Sequence, residues 1–219
     1  MKKARNPQLA ARKTPRQARS TELVDAILEA AVRVLVREGA ARFTTVRVAA
    51  AAGVSVGSLY QYFPNKEALL FRLQAREWEE TWPQMHALLT DPRWPPRERL
   101  RRVVLAFFRS EQAEADLRTA LDDAGALFRD APEARALEAR AMATMTTFLA
   151  EALPDATPAR RAFAAEFVFT TMGAIAERVT ARKRTAAEIE RWAGACADLL
   201  DDFLDRNAAP PVVRRRQLA

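Results

Sequence analysis

The chain has 219 residues, 49% of them hydrophobic, only six Gly, and 35 Lys or Arg against 28 Asp or Glu for a net charge of +7. This apolar content excludes a disordered chain, and the absence of runs rich in Val, Ile, Thr and Tyr excludes a mainly β protein, which leaves an all-α fold. One cysteine, Cys196, and one histidine, His86, exclude an internal disulfide and supply no zinc-type ligand set, so no metal and no other cofactor is expected.

In chain order, residues 1–19 come first: they hold seven Lys or Arg, no acid and two prolines, without apolar periodicity. This stretch reads as a flexible basic arm, either tracking phosphates or the minor groove, or an unstructured leader. Across residues 20–38, Leu23, Ala26, Ile27, Ala30, Ala31, Val34 and Leu35 recur at helical spacing, with Ser20 or Thr21 as cap and Gly39 as stop. A short second helix capped by Thr44 or Thr45 runs to Ala52, where Gly53 permits the left-handed turn. Ser55 caps a third through Tyr62, closed by Phe63, Pro64 and Asn65; a fourth begins near Lys66 and is ended or kinked by Pro83. Five longer amphipathic helices follow, at about 96–116, 118–129, 133–153, 159–182 and 186–206, punctuated by prolines. Residues 208–219 read as a frayed tail. The implied division is a basic arm at 1–19, a reading domain at 20–66 and a larger helical domain at 67–207.

Charge is unevenly placed. Residues 1–66 carry 12 Lys or Arg against four acids, and the remainder 23 against 24. Positive charge focused in one third of the chain is what phosphate-backbone binding requires, because each neutralised phosphate releases counterions.

A helix-turn-helix needs a small residue where its helices cross, Gly at the turn and apolar residues behind the reading helix. Ala49, Gly53, and Val48, Val54 and Leu59 fill those roles in order. The third helix packs through Val56, Leu59 and Phe63, leaving the tyrosine hydroxyls to reach phosphates, Gln61 to pair with a base edge, and Gly57 to let the backbone approach. Tyr60 as partial core is the alternative. Lys66 adds its ammonium to a helix N-terminus, already attractive to phosphate.

The stretch ILEAAVRVLVREGAARFTTVRVAAAAGVSVGSLYQYFPNKEALL resembles the DNA-binding domain of the TetR repressor family, over roughly the first 70 residues. The resemblance implies a nine-helix fold, and that Thr45, Arg47, Ser55, Val56, Gly57, Ser58, Tyr60, Gln61, Tyr62 and Lys66 lie at the DNA surface. By that resemblance Arg47, Val56, Gly57, Ser58 and Gln61 face bases, and Thr45, Tyr60, Tyr62 and Lys66 face phosphates. Val48 stands where Ile is commoner in the family and Tyr62 where His is frequent. Ala50 and Ala51 stand where charges are frequent, which shifts weight to Arg42 and Arg47.

The resemblance further implies a ligand-responsive core and a homodimer built from the last two helices as a four-helix bundle. Independently, broad apolar stripes run along both helices, through Phe163, Phe167, Val168, Thr171, Met172, Ile175 and Val179, and through Ile189, Trp192, Ala193, Cys196, Leu199, Leu200 and Phe203. Of these, Phe167, Thr171, Ile175, Trp192, Cys196, Leu199 and Phe203 are the candidate dimer residues. Trp78, Trp82, Met85, Phe107, Phe108, Phe128, Met142, Met145 and Phe148 are candidates for lining an apolar effector cavity, with ordinary core packing as the alternative for each, and His86 is a candidate polar anchor in it, with a surface or hydrogen-bonded core position as the favoured alternative. Asp122, Asp123, Glu111, Glu114 and Asp116 raise a cationic ligand against a solvated face.

An enzyme is disfavoured, because one His and one Cys furnish no nucleophile–base pair and no phosphate loop is present. No apolar run reaches the roughly 18 residues of a spanning helix, and no apolar signal core follows the basic start, so a cytoplasmic location away from membranes is expected. The sequence therefore predicts an effector-released repressor on a palindromic double-stranded DNA operator, with a ligand-independent or architectural DNA binder as the rival.

Overall fold

A computed structural model describes residues 8–10, 18–125, 127 and 131–208. Among them lie nine α-helices, one 3-10 turn and no strand: α1 Ala18–Glu38, α2 Thr45–Ala52, α3 Val56–Tyr60, α4 Lys66–Thr90, α5 Pro96–Ala113, α6 Ala115–Gly125, α7 Pro132–Ala152, α8 Pro158–Thr180 and α9 Ala186–Ala208. The expected basic arm, apart from residues 8–10, and the expected tail from residue 209 fall outside the described residues, as does Phe128.

The helix boundaries differ from expectation at a few points. α1 starts at Ala18 rather than Ser20, since Ala and Arg are good helix formers. A 3-10 turn at Ala40–Arg42, not foreseen, fills the link after Gly39, whose φ is 75°. α3 stops at Tyr60, because the amides of Gln61 and Tyr62 turn to the carbonyls three residues back. Pro83 does not end α4, which continues to Thr90. The break between α5 and α6 falls at Glu114, a few residues earlier than the spacing suggested.

The described residues divide into two compact units: residues up to Pro83 with Ala113–Arg140, and Gln84–Gln112 with the chain from Ala141 onward. In the first unit, α1 packs on α2 and α6, and α2 on α3. Ala30, Ala31 and Ala49 let the backbones approach, and Ile27, Leu35, Phe43, Val48, Leu59 and Leu70 fill the space around them, each fully buried. α2 is bounded at both ends by its own residues. Thr44 accepts from the Arg47 amide, and Gly53 turns left-handed at φ 68° while the amides of Gly53 and Val54 return to the carbonyls of Ala50 and Ala49.

In the second unit α8 packs on α9. Along α5, Arg97, Arg101 and Arg109 pair with Asp205, with Asp198 and Asp201, and with Glu190 of α9. Arg99, only 3% exposed, is a charge the sequence gives no reason to bury. Its guanidinium donates to the Leu89 carbonyl at 2.9 Å and to Glu151, and lies 5.6 Å from the centroid of the Phe148 ring. The two terminal nitrogens are thus occupied, which offsets part of the cost of burying the cation, while its buried Nε has no hydrogen-bond partner among the described residues.

Candidate nucleic-acid interface

The reading head is assembled from α2, its turn and α3. Ser55 accepts from the Ser58 amide at 3.0 Å, which starts α3, and the two serine hydroxyls share a 2.8 Å hydrogen bond. Leu59, Tyr62 and Phe63 bury one side of the segment, so Gly57, Tyr60 and Gln61 are turned to solvent and Val56 and Ser58 are half-buried between. A Cβ added at Gly57 would meet nothing but Ser55 Oγ at 3.7 Å. Nothing in the fold demands glycine at that position.

On α2, Arg47 is exposed and its guanidinium pairs with Glu38, which Arg37 also engages at 2.9 Å. Hydrogen bonds from Arg37 and then Arg47 hold the Glu38 carboxyl below the usual carboxylate range. Thr45 is buried, and its hydroxyl lies 3.0 Å from the Tyr60 hydroxyl, tying the two helices together. Asn65 caps α4 by accepting from the Ala68 amide at 2.7 Å, which leaves Lys66 half-buried at the first turn.

Two expected DNA-surface residues are corrected. The Tyr62 ring is 5% exposed and belongs to the core, since it follows Leu59 by three residues and shares its face. Thr45 is likewise inward, with its hydroxyl spent on Tyr60. One outward residue was missed: Val46, 59% exposed beside Arg47, whose position off the apolar stripe of α2 was the available signal.

Of the expected cavity residues, Met85, Phe108, Met145 and Phe148 are buried and Phe107 and Met142 half-buried in the second unit. Trp78 and Trp82 stack at 5.9 Å on the part of α4 that belongs to the first unit. His86 is exposed, one residue round the helix from buried Met85, as in the surface alternative and not as a cavity anchor. Two surface clefts are described, and none of these residues lines either. One, of about 340 Å³, lies in the first unit among Glu29, Arg33, Leu73, Arg76, Glu77 and Glu114, and the other, of about 360 Å³, between α5 and α9 at Leu105 and Gly194. Burial pushes the Glu77 carboxyl up, opposed by the Arg118 guanidinium paired with it. Of the remaining acids, Glu111 is buried, whereas Asp116 and Asp123 are exposed, as on a solvated face.

Among the expected dimer residues, Trp192 and Leu199 are exposed, at 43% and 48%, together with Phe163 at 57%. Phe163, Phe167 and Phe203 cluster at the surface of α8 and α9, with Phe167 and Phe203 stacked at 3.9 Å, and Thr171 and Ile175 are half-buried. Cys196 is corrected: at 2% exposure it faces the interior with Ile189, Ala193 and Leu200. Burial raises its thiol to about 11.

A capped, glycine-turned helix pair presenting a short polar helix, joined to a larger helical body, defines a helix-turn-helix DNA-binding protein. Two family models match the chain: "Bacterial regulatory proteins, tetR family" over residues 27–73, and "Tetracyclin repressor-like, C-terminal domain" over residues 95–206. The chain belongs to the TetR family of transcriptional regulators, a family of DNA-binding regulators rather than enzymes.

Solved structures share the fold. A TetR-like transcriptional regulator from Rhodococcus sp. RHA1 is 23% identical with a TM-score of 0.60, covering 89% of this chain and 97% of its own. The fatty acid degradation regulator FadR from Bacillus halodurans is 18% identical with a TM-score of 0.66, covering 85% and 96%. SmeT, the repressor of the Stenotrophomonas maltophilia multidrug efflux pump SmeDEF, is 22% identical with a TM-score of 0.64, covering 82% and 88%, and is also solved as a complex with triclosan. A comparison with curated proteins gives no match. Among the described residues no helix is long and apolar enough to cross a membrane.

Proposed function

We propose that the protein is a cytoplasmic repressor that binds a palindromic operator as a homodimer and is released by a small, largely apolar effector. The observation that carries the reading is the two-sided character of α3: Leu59 is locked into the core while Gly57, Tyr60 and Gln61 face outward. In this reading Arg47, Val56, Gly57, Ser58 and Gln61 meet base edges, and Ser55, Tyr60 and Lys66 meet the backbone. Thr45 and Tyr62 support the reading helix from behind. Arg47 exchanges Glu38 for a base or phosphate acceptor when DNA arrives.

Dimerisation through α8 and α9 is supported by exposed Phe163, Trp192 and Leu199 and by the half-buried Phe167 and Phe203 that cluster with Phe163, since apolar surface of this kind marks an interface. Release follows if the effector shifts α4, a continuous helix with Lys66 at its first residue, and moves the two recognition helices off the spacing of about 34 Å set by successive major grooves. The SmeT–triclosan complex is a precedent in the fold for a small-molecule partner.

Selection of bound sequences from a random duplex pool tests the reading. A palindrome with half-sites one helical turn apart is expected, and enrichment of nothing, or of a single asymmetric half-site, overturns it. Replacing Tyr60 or Lys66 should then weaken binding evenly across sequences, and replacing Arg47 or Gln61 should change base preference; uniform loss at all four removes the division of roles.

The rival reading is a DNA binder that needs no effector. An effector raises the melting temperature of the regulator by mass action and weakens its operator binding. A broad ligand screen moving neither quantity would select this second reading.

A further inference from the structure

Apart from Arg47, the outward side of α2 is alanine and one valine. Ala50 and Ala51 face solvent there, and alanine favours a helix more than any other residue. Val46, in the first turn, departs from that choice. It is 59% exposed, the most exposed of the large hydrophobic side chains among the described residues, while Thr45, Val48 and Ala49 are buried on the other side. Neither packing nor helix formation accounts for a valine here: most of it lies outside the core, and its β-branch disfavours helix relative to alanine.

The reading head fixes where this side chain stands. The Thr45 hydroxyl lies 3.0 Å from that of Tyr60, which ties the first turn of α2 to the end of α3. Thr44 accepts from the Arg47 amide at 3.3 Å, so the same turn is held in helix from its start. Val46 is thus next to Arg47 in the chain and on a turn joined to Tyr60, both of them exposed.

What an outward valine can read is limited by its chemistry. It neither donates nor accepts a hydrogen bond, so it gains nothing from a phosphate and cannot sense the polar edges of a base pair. The one apolar group displayed in the major groove is the C5-methyl of thymine. We infer that Val46 is a specificity-determining residue that packs against a thymine methyl in the half-site its protomer reads; the inference rests on the DNA-binding reading above. The γ-methyls of Val46 and the methyl of the base shield one another from water, and cytosine in the same place leaves them wet. This selectivity comes from burial and not from charge, so it is independent of salt, unlike a phosphate contact.

The test uses the full chain and the duplex that the wild type enriches from a random pool, with affinity measured by fluorescence anisotropy. Each thymine of one half-site is replaced in turn by deoxyuridine, which removes the methyl and keeps the base pair. For the wild type, one of these replacements should weaken binding about four-fold, the worth of one buried methyl, and by the same factor at low and high salt. For Val46→Ala that replacement should cost less than about two-fold, with the responses at other thymines unchanged. Alanine suits an exposed helix position, so the variant should keep or raise the urea midpoint. The inference is overturned if no thymine methyl matters to the wild type, or if Val46→Ala keeps the wild-type response at every thymine. A wild type that enriches no duplex removes the DNA-binding reading itself, and shows this before any variant is compared.

Discussion

Gly57→Ala separates the stability of α3 from its function. The new Cβ meets only Ser55 Oγ, at the ordinary contact distance of 3.7 Å, and Gly57 is not among the positive-φ glycines, so the folded state accommodates alanine without strain. Alanine restricts the unfolded chain and favours helix, which should stabilise the protein by about 0.4–1 kcal/mol. For DNA the sign reverses. A methyl on the outward face holds the backbone away from the groove and weakens the neighbouring contacts of Ser58 and Gln61, and a loss of ten-fold or more, about 1.4 kcal/mol, is expected. The urea midpoint gives the first quantity, and anisotropy on the selected duplex at fixed salt gives the second. Wild-type affinity in a stabilised Gly57→Ala protein would refute the placement of this face against DNA, and a fall in stability would refute the open space read at Gly57.

Four further outcomes follow from the same geometry. Arg99→Met should destabilise by about 1–2 kcal/mol by leaving the Leu89 carbonyl unpaired, and Glu151→Ala by no more than about 1 kcal/mol, because that carboxylate is more than half exposed and water can take its place beside the guanidinium; chemical denaturation showing the reverse order would contradict this account. With its thiol raised to about 11, Cys196 should resist iodoacetamide at neutral pH in the folded protein and react freely in urea, as read by mass spectrometry. Leu199→Ala should weaken the proposed dimer about 30-fold, from about 1 kcal/mol of lost burial per copy, measurable by static light scattering across a dilution series. Glu38→Gln should release Arg47 and Arg37 and tighten DNA binding with a salt slope steeper by about one contact. Because the Glu38 pKa is depressed, its hold on the two arginines is present above the ordinary carboxylate pKa and fades as pH falls through the lowered value, so the difference between Glu38→Gln and wild type should narrow in acid.

The head of the molecule was legible because each of its boundaries is written in local chemistry. Thr44, Gly53 and Ser55 cap or turn the backbone through their own atoms, and no distant residue is needed to place them. The burial of Tyr62 was legible on the same terms: Leu59, Tyr62 and Phe63 stand at the spacing of one helical face, and burying that face outweighs the reach of one hydroxyl. On α9 the broad stripe was legible as a whole but not its division. Ile189, Ala193, Cys196 and Leu200 turn inward while Trp192 and Leu199, about a third of a turn away, face solvent. Pattern counts apolar positions and does not say which neighbour each one meets. Arg99 and Glu151, 52 residues apart, were beyond reach for the same reason, since only the folded chain brings them together.

The arginines of α5 and the acids of α9 have a use other than strength. Exposed ion pairs contribute about 0–1 kcal/mol each. Their spacing, however, runs in opposite directions along the two helices: Arg97, Arg101 and Arg109 against Asp205, Asp201 with Asp198, and Glu190, with Leu105 and Gly194 at the unpaired step between. Sliding α9 by one turn, about 5.4 Å, would set Glu190 against Leu105 and strip Arg109 of its partner. The pattern works as a vernier that favours one alignment. A displacement of α9 along its axis would break these pairs one after another, whereas a small turn of the two helices together would keep them.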